Sequence, residues 1–550
     1  MHNIISHDSK YSFRTVVRWL LAIMKDNWFQ TSVNALTGIL GVIVSLSAVW
    51  AVKHAIDIAS GVIDGSVYWA VALMASLVLC DFALNITKVW VRNTLGIKAR
   101  NRMQQHMLDI ILNSHIEGKD KLHSGDVINR LEIDVKAVVN FLTETIPESL
   151  SVALLFIGAF TYLFQMDQIL AFVTVGIIPV FMLLSKLYVR KMKRLTRKMR
   201  NSESRVQSIL QETIQHRTLI KTLESNNTVL SRVSNTQDEL KSDVIHRTKF
   251  SLFSNFIMNF GFAAGYLVAF LWSALRMSAG TLSFGGMTAF LQLVNKIQVP
   301  ARNLARLAPE FVNVLTSAER LMELEDNPLE EKGTPVRVRG GAGIRFENVS
   351  YSYPSSDRKV IDNLSFDFTP GSSTAIMGET GIGKTTMIKL ILSLLTPDSG
   401  KIIIYNDSVA KVVSNNTRCN FVYVPQGNNL LSGTIRDNLR LGKVHASDEE
   451  IREALTTACA DFVYTLPEGL DTHCGERGSG LSEGQAQRIA TARALLRKKD
   501  ILILDEITSA LDPDTEKRVL HNLLSQKNRT VIMITHKPEV ADRCDNILRF

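Results

Sequence analysis

Cysteine is scarce in this chain of 550 residues: there are five, Cys80, Cys419, Cys459, Cys474 and Cys544, with neither paired spacing nor the close repeats of a metal knuckle. That argues against a disulfide scaffold and a zinc module. Charge is thin as well. Charged residues make up 21% against 46% hydrophobic ones, with a mean hydropathy of +0.09, which excludes a disordered, collagen-like or coiled-coil chain. The part beyond residue 326 lacks any excess of one sign, with 28 Lys and Arg against 28 Asp and Glu. The first 326 residues hold 34 against 25, so the whole net charge of +9 lies there. Such an asymmetry fits cationic loops beside a membrane rather than a basic face on a soluble domain, and no nucleic-acid partner is expected. No cleavable signal precedes the first apolar run. The length suggests about three domain-sized units.

Six stretches lack Asp, Glu, Lys and Arg over roughly the 17–25 residues that a helix needs to cross a hydrocarbon core. They lie near 28–52, 65–87 (interrupted by Asp81), 149–166, 168–185, 251–275 and 277–295. Helices satisfy their backbone polar groups internally, so this pattern predicts an all-α membrane domain of six spans over residues 1–326. Orientation follows from the flanks. Lys186, Arg190, Lys191, Lys193, Arg194, Arg197, Lys198 and Arg200 follow the fourth stretch, whereas the outer loops near 57–64, 164–168 and 276–284 hold almost no cations. Both termini are therefore expected in the cytoplasm and the spans in the plasma (inner) membrane. Residues 13–27 alternate Arg14, Arg18 and Lys25 with Val, Trp and Leu, as an interfacial helix lying on lipid does. The inner segments 90–145 and 186–250 keep helical periodicity through mixed charge, which predicts helices that outrun the bilayer and turn back near 118–125 and 211–221.

Residues 327–340, rich in proline, glycine and charge, read as a linker. From 341 to 550 short β-branched runs alternate with helical ones, the pattern of an α/β domain. The run ending at Met377 leads into Gly378, Glu379, Thr380, Gly381, Ile382, Gly383, Lys384, Thr385 and Thr386, which matches G-x-x-x-x-G-K-S/T between strand and helix. Glycines there let backbone N–H groups wrap phosphate oxygens, Lys384 reaches the β- and γ-phosphates, and the Thr385 hydroxyl can ligate Mg²⁺. The apolar run 501–504 delivers Asp505 and Glu506 at its end. Beside a triphosphate, Asp505 suits metal binding through water and Glu506 suits deprotonation of the attacking water. Between them, Ser482, Glu483, Gly484 and Gln485 open a helix whose N–H groups could face another anion.

Taken in order, these motifs resemble those of ATP-binding cassette (ABC) exporter half-transporters, in which six spans precede one nucleotide-binding domain of the P-loop NTPase class. The resemblance covers essentially the whole chain and implies further roles. Tyr353 is similar to the aromatic that stacks on adenine, and Gln426 to the loop glutamine that contacts Mg²⁺ and relays nucleotide state to the membrane helices. LSEGQ at 481–485 resembles the family signature, GERG at 475–478 the short motif before it, SALD at 509–512 the D-loop with Asp512, and His536 the histidine at the γ-phosphate. Glu483 departs from the usual glycine, which contributes mainly its N–H, so a working site is still expected. The chain stops at Phe550, soon after His536, without the family's usual short extension.

The resemblance implies ATP-driven export or flipping by alternating access, with ATP and Mg²⁺ bound at two composite sites of a dimer. Each motif occurs once and looks competent, which favours two copies of this chain. An ATP-gated channel or a membrane-bound regulatory ATPase would show the same features. In the spans, Asp81, Asn85, Lys88 and Arg92 recur at helical steps, as do Ser251, Asn255 and Asn259, while Gln292, Asn295, Lys296 and Asn303 cluster. These stripes either line a partly polar pathway for an unidentified substrate or pack helices together.

Overall fold

The computed structural model describes residues 11–115, 124–304, 307–331, 333–354, 358–475, 480–525 and 529–550. Most of the turn expected at 118–125 lies outside the described residues, as do Glu476, Arg477 and Gly478 of GERG. The chain forms two compact units, Met1–Leu108 with Ile128–Glu323, and Asp109–Val127 with Leu324–Phe550. The described residues 109–115 and 124–127 therefore cluster with the second unit. The reason is backbone bonding. His115 N–H donates to Pro328 O at 2.9 Å and Glu330 N–H to Asn113 O at 2.8 Å, around an antiparallel bridge between Ser114 and Leu329.

Among the described residues the first unit is helical. Phe13–Asp26 buries Val16 and Leu20 on one face and starts at Ser12, whose hydroxyl accepts from Thr15 N–H at 3.3 Å. Among the described residues, four segments are long and apolar enough to cross a bilayer: Trp28–Ala59, Val67–Asn113, Gly125–Met166 and Asn226–Ser278. The two other apolar runs fall within Gln168–Gln215 and Phe284–Leu304. The last starts later than the expected 277, because the preceding helix continues to Ser278 and Gly280, at φ +71°, makes the turn that a count of charges cannot locate. The return between Gln168–Gln215 and Asn226–Ser278 runs through the short helix Arg217–Thr222. Phe290, Leu293 and Ile297 pack with Ala159, Leu163 and Leu170 in a fully buried cluster.

The third apolar segment is not a uniform α-helix. Arg130–Asp134 and Phe141–Thr145 are π-wound, and Pro147 follows the second of these turns. Proline has no N–H for the carbonyl four or five residues back, so Thr143 O and Leu142 O lose their donor. Side chains of Trp28–Ala59 replace it: Asn34 Nδ2 donates to Thr143 O at 2.6 Å, and Thr31 Oγ1, 3.4 Å from Leu142 O, shares its one proton between that carbonyl and Asn27 O at 3.3 Å. Nearby, Lys88 lies 3.8 Å from Glu148 and Arg92 2.9 Å from Glu144, so the inner end of that polar stripe is committed to interhelical ion pairs. Lys296 donates to Ser45 of the first span.

The second unit carries two larger sheets. Lys359–Phe368, Gly343–Ser352, Ser399–Tyr405 and Ala410–Val412 form an antiparallel one. The other is parallel, in the order Asn546–Arg549, Ser373–Met377, Thr530–Ile534, Ile501–Asp505 and Phe421–Val424. Its central strands read as unbroken apolar runs because both faces are covered: every residue of Ile501–Asp505 and Thr530–Ile534 is buried.

Candidate nucleotide site

In a parallel sheet the carboxyl ends of the strands share one edge, and ligands bind in the crevice outside it. Three neighbouring strands here end in Met377, Asp505 and Ile534, and each delivers site residues into the loop that follows. After Met377 the chain wraps through 378–383 into the helix Lys384–Ile391. Gly383 has no substitute in that wrap: its φ is +126°, and a Cβ would stand 3.0 Å from both the side chain and the carbonyl of Val360. Lys384 is buried, with Nζ donating to Gly378 O at 2.7 Å and Glu379 O at 3.0 Å. Its ammonium is thus folded into the loop that would hold the phosphates. Thr385 is exposed, whereas Thr386 is buried against the Tyr353 hydroxyl at 3.1 Å.

Asp505 ends its strand almost wholly buried, and Glu506 is the first residue off it. Burial pushes the Asp505 carboxyl above the usual carboxylate range and Glu506 adds to this, while the bond from Tyr423 and the charge of Lys384 oppose it. The Tyr423 hydroxyl donates to Asp505 Oδ2 at 3.0 Å; burial first, and Asp505 second, push that phenol up. Glu506 sits at φ +50°, a left-handed conformation that costs a side-chain-bearing residue about 1–2 kcal/mol. Two partners fix its carboxylate in return. Gln426 Nε2 donates to Oε2 at 2.7 Å, and His536 Nε2 lies 2.8 Å from Oε1. His536 Nε2 is also 3.3 Å from Lys384 Nζ, but a carboxylate only accepts, so the shorter contact puts the proton on Nε2.

Lys384, Gln426, Asp505, Glu506 and His536 therefore form one group with Tyr353, Thr385 and Thr386 on its flank. The residues 482–485 stand apart from it, with no hydrogen bond or ion pair to that group among the described residues. Ser482 and Gln485 form a reciprocal cap, Gln485 N–H to Ser482 Oγ at 3.2 Å and Ser482 N–H to Gln485 Oε1 at 2.9 Å, and Glu483 points to solvent. Gly484 is packed so closely on the loop after Glu506 that a Cβ would meet Ala510 O at 2.6 Å. Asp512 caps the helix Pro513–Leu524, and the N–H of Thr515 holds its carboxyl below the usual range.

Tyr423 escaped the sequence reading. Its signal is a tyrosine three residues ahead of Gln426, but its meaning needs the pairing of Tyr423 with Ile503, which lies far away in the sequence. Among the described residues no three His, Cys, Asp or Glu side chains converge as a metal cage. The donors at hand are the Asp505 carboxylate and the Thr385 hydroxyl. A few hard oxygens suit Mg²⁺, which completes its shell with water and substrate phosphates.

Residues 32–300 match the family model described as ABC transporter transmembrane region, and residues 361–509 the one described as ABC transporter. An ATP-dependent lipid A-core flippase of Pseudomonas fluorescens is 31% identical over 78% of this chain and 72% of its own length. One from Bordetella avium is 28% identical over 87% of this chain and 82% of its own. A bacterial Atm1-family ABC exporter solved with ATP bound shares the fold, with a TM-score of 0.77 at 23% identity, covering 95% of this chain and 93% of that one.

Proposed function

Because this chain belongs to the ABC transporter family, we propose that each ATP is hydrolysed between two copies of it, with Lys384 and Glu506 of one copy and Ser482 of the other around the γ-phosphate. The chain is an integral membrane protein, an exporter whose nucleotide-binding unit hydrolyses ATP to drive alternating access. The observation that carries the finer reading is the Gln426–Glu506–His536 arrangement beside Lys384. Glu506 is a base held at two oxygens by a glutamine and an imidazole, next to a lysine in the phosphate loop. Nucleotide draws Lys384 off Gly378 O and Glu379 O onto the β- and γ-phosphates, and Tyr353 supports the adenine.

In this reading His536 turns toward the γ-phosphate and Glu506 takes the proton of the attacking water, oriented by Gln426. Asp505 and Thr385, with Gln426 close by, would hold Mg²⁺, which would supply charge neutralisation at the phosphates. The capped helix start at Ser482, Glu483, Gly484 and Gln485 presents N–H groups to the phosphate of the other copy. Asp512 stands in the loop that Gly484 of the same chain packs against, so each chain links the signature segment it lends to one composite site with the loop after Glu506 in the other. A site of this kind needs the cytoplasmic ATP pool, which agrees with cytoplasmic termini and spans in the inner membrane.

Mixing tests the composite site. Dimers uniformly Lys384→Ala or Ser482→Ala are expected to be nearly inactive, whereas a mixed dimer concentrates both lesions in one site and leaves the other intact. Co-expression under two affinity tags should recover part of the ATPase activity. ATPase activity independent of dimer formation would overturn the reading. The relatives named as lipid A-core flippases make an amphiphile the first substrate class to offer in liposomes, with ATPase stimulation as the readout.

A further inference from the structure

Arg418 lies outside the nucleotide site, in the short 3-10 turn Asn415–Asn420 that feeds the strand Phe421–Val424 and then Gln426. Its guanidinium makes four hydrogen bonds. Nη1 and Nη2 grip Glu330 as a fork, at 2.9 and 2.7 Å. Nε donates to Leu392 O and Nη2 to Ser393 O, both at 2.9 Å. Those carbonyls terminate the helix Lys384–Ile391, which begins at the phosphate loop, so Arg418 serves the electronegative end of the same helix whose other end faces phosphate. Glu330 in turn is bonded through its backbone N–H to Asn113 O, the last residue of the uninterrupted helix Val67–Asn113.

We propose that Arg418 and Glu330 form a clamp that carries nucleotide state from the phosphate-binding helix to the second membrane helix, as positioning residues that touch no substrate. The inference rests on the ATP-driven transport reading. Planar guanidinium and carboxylate resist shear in a way that a point charge does not, because two parallel bonds must lengthen together. When the Lys384–Ile391 helix shifts on phosphate, its terminal carbonyls take Arg418 along, and the fork passes the shift through Glu330 to Asn113. Every link in this chain is direct, and each is polar and half-buried or better on the Glu330 side, where the carboxylate is only 16% exposed. A linker pinned merely for stability would need the fork to Glu330. It would not need the same guanidinium to close off the phosphate-loop helix.

The test is hydrogen–deuterium exchange on the full chain in lipid nanodiscs, with and without a non-hydrolysable ATP analogue and Mg²⁺. In the unmodified protein, nucleotide should slow exchange over residues 378–392 and alter it over 97–113. In Arg418→Gln and in the near-isosteric Glu330→Gln, protection of 378–392 should persist while the response at 97–113 falls at least about fivefold, the lower end of ordinary coupling energies. Arg418→Lys, which keeps charge but not the fork, should fall between. An undiminished response at 97–113 in Glu330→Gln, with that variant folded, overturns the clamp. Absence of nucleotide protection over 378–392 in the unmodified protein would instead overturn the nucleotide-site reading on which the clamp rests.

Discussion

Tyr423→Phe removes one oxygen and tests how the nucleotide site is held ready. The phenol donates to Asp505 Oδ2 at 3.0 Å, and Asp505 is 5% exposed, so water cannot replace the lost donor. A hydrogen bond to a charged group contributes about 1.5–3 kcal/mol, and a carboxylate left without it in a buried site bears that cost in full. For a unit of this size the melting midpoint should drop by about 3–12 °C. The deficit depends on pH with a definite sign. The folded-state pKa of Asp505 lies above the ordinary 3.8, so the folded chain holds this proton more tightly than the unfolded chain does. Its stabilising contribution is complete below the unfolded value and is lost as pH rises through the folded one. Removing the phenol raises the folded value further, so the variant's deficit should be largest at neutral pH and narrow on acidification. Nucleotide-free thermal melts of the full chain at several pH values measure this, and a titration of ATPase rate against Mg²⁺ should shift to higher concentration in parallel. A midpoint unchanged within about 1 °C, or a deficit that widens in acid, would refute the argument.

Glu506→Gln should keep ATP binding and lose about 10²–10⁴-fold in turnover, because the amide keeps the carboxylate's shape but accepts no proton; more than about a tenth of the activity remaining would count against a base at this position. Lys384→Ala should weaken nucleotide binding itself, and equal ATP affinity in direct titration would contradict its assignment to the phosphates. Gly484→Ala drives a methyl group to within 2.6 Å of Ala510 O and should cost about 1–3 kcal/mol of stability as well as ATPase activity, read from melts and phosphate release. Cysteine placed at Asn259 or Gln292 should react with a water-soluble thiol reagent at a rate that changes when nucleotide is trapped; inertness at both positions in every state would make these polar stripes packing contacts.

The phosphate loop was legible because all its chemistry sits within nine consecutive residues, between a strand and a helix that announce themselves. The apolar runs were legible for a related reason: absence of charge over a bilayer's thickness is a local property. Where partners come from distant segments, the sequence is mute. Tyr423 and Asp505 meet only because two strands are neighbours in the sheet, and Arg418 joins Glu330 and Ser393 across three separate segments. Turns inside apolar stretches were equally hidden, since Ser278 and Phe284 are divided by Ala279, Gly280, Thr281, Leu282 and Ser283, whose mixed small and apolar character keeps the run's hydropathy high across the turn. Likewise nothing in the composition of 130–134 or 141–145 marks these turns as π-wound.

Pro147 has a mechanical consequence. A helix with a complete ladder of backbone bonds spreads any bending over its whole length, like an even spring. One whose ladder is broken at a single point concentrates its compliance there and behaves as two stiff rods on a joint. In the third apolar segment the joint lies at 142–147, and the bonds that would otherwise resist opening are lent by Thr31 and Asn34 of the first span. The angle between the rods is therefore geared to the axial position of a neighbouring helix. If the first span slides by less than one helical turn, Asn34 lets go of Thr143 O and the joint is free to change its set, with no backbone bond of either helix broken in the process.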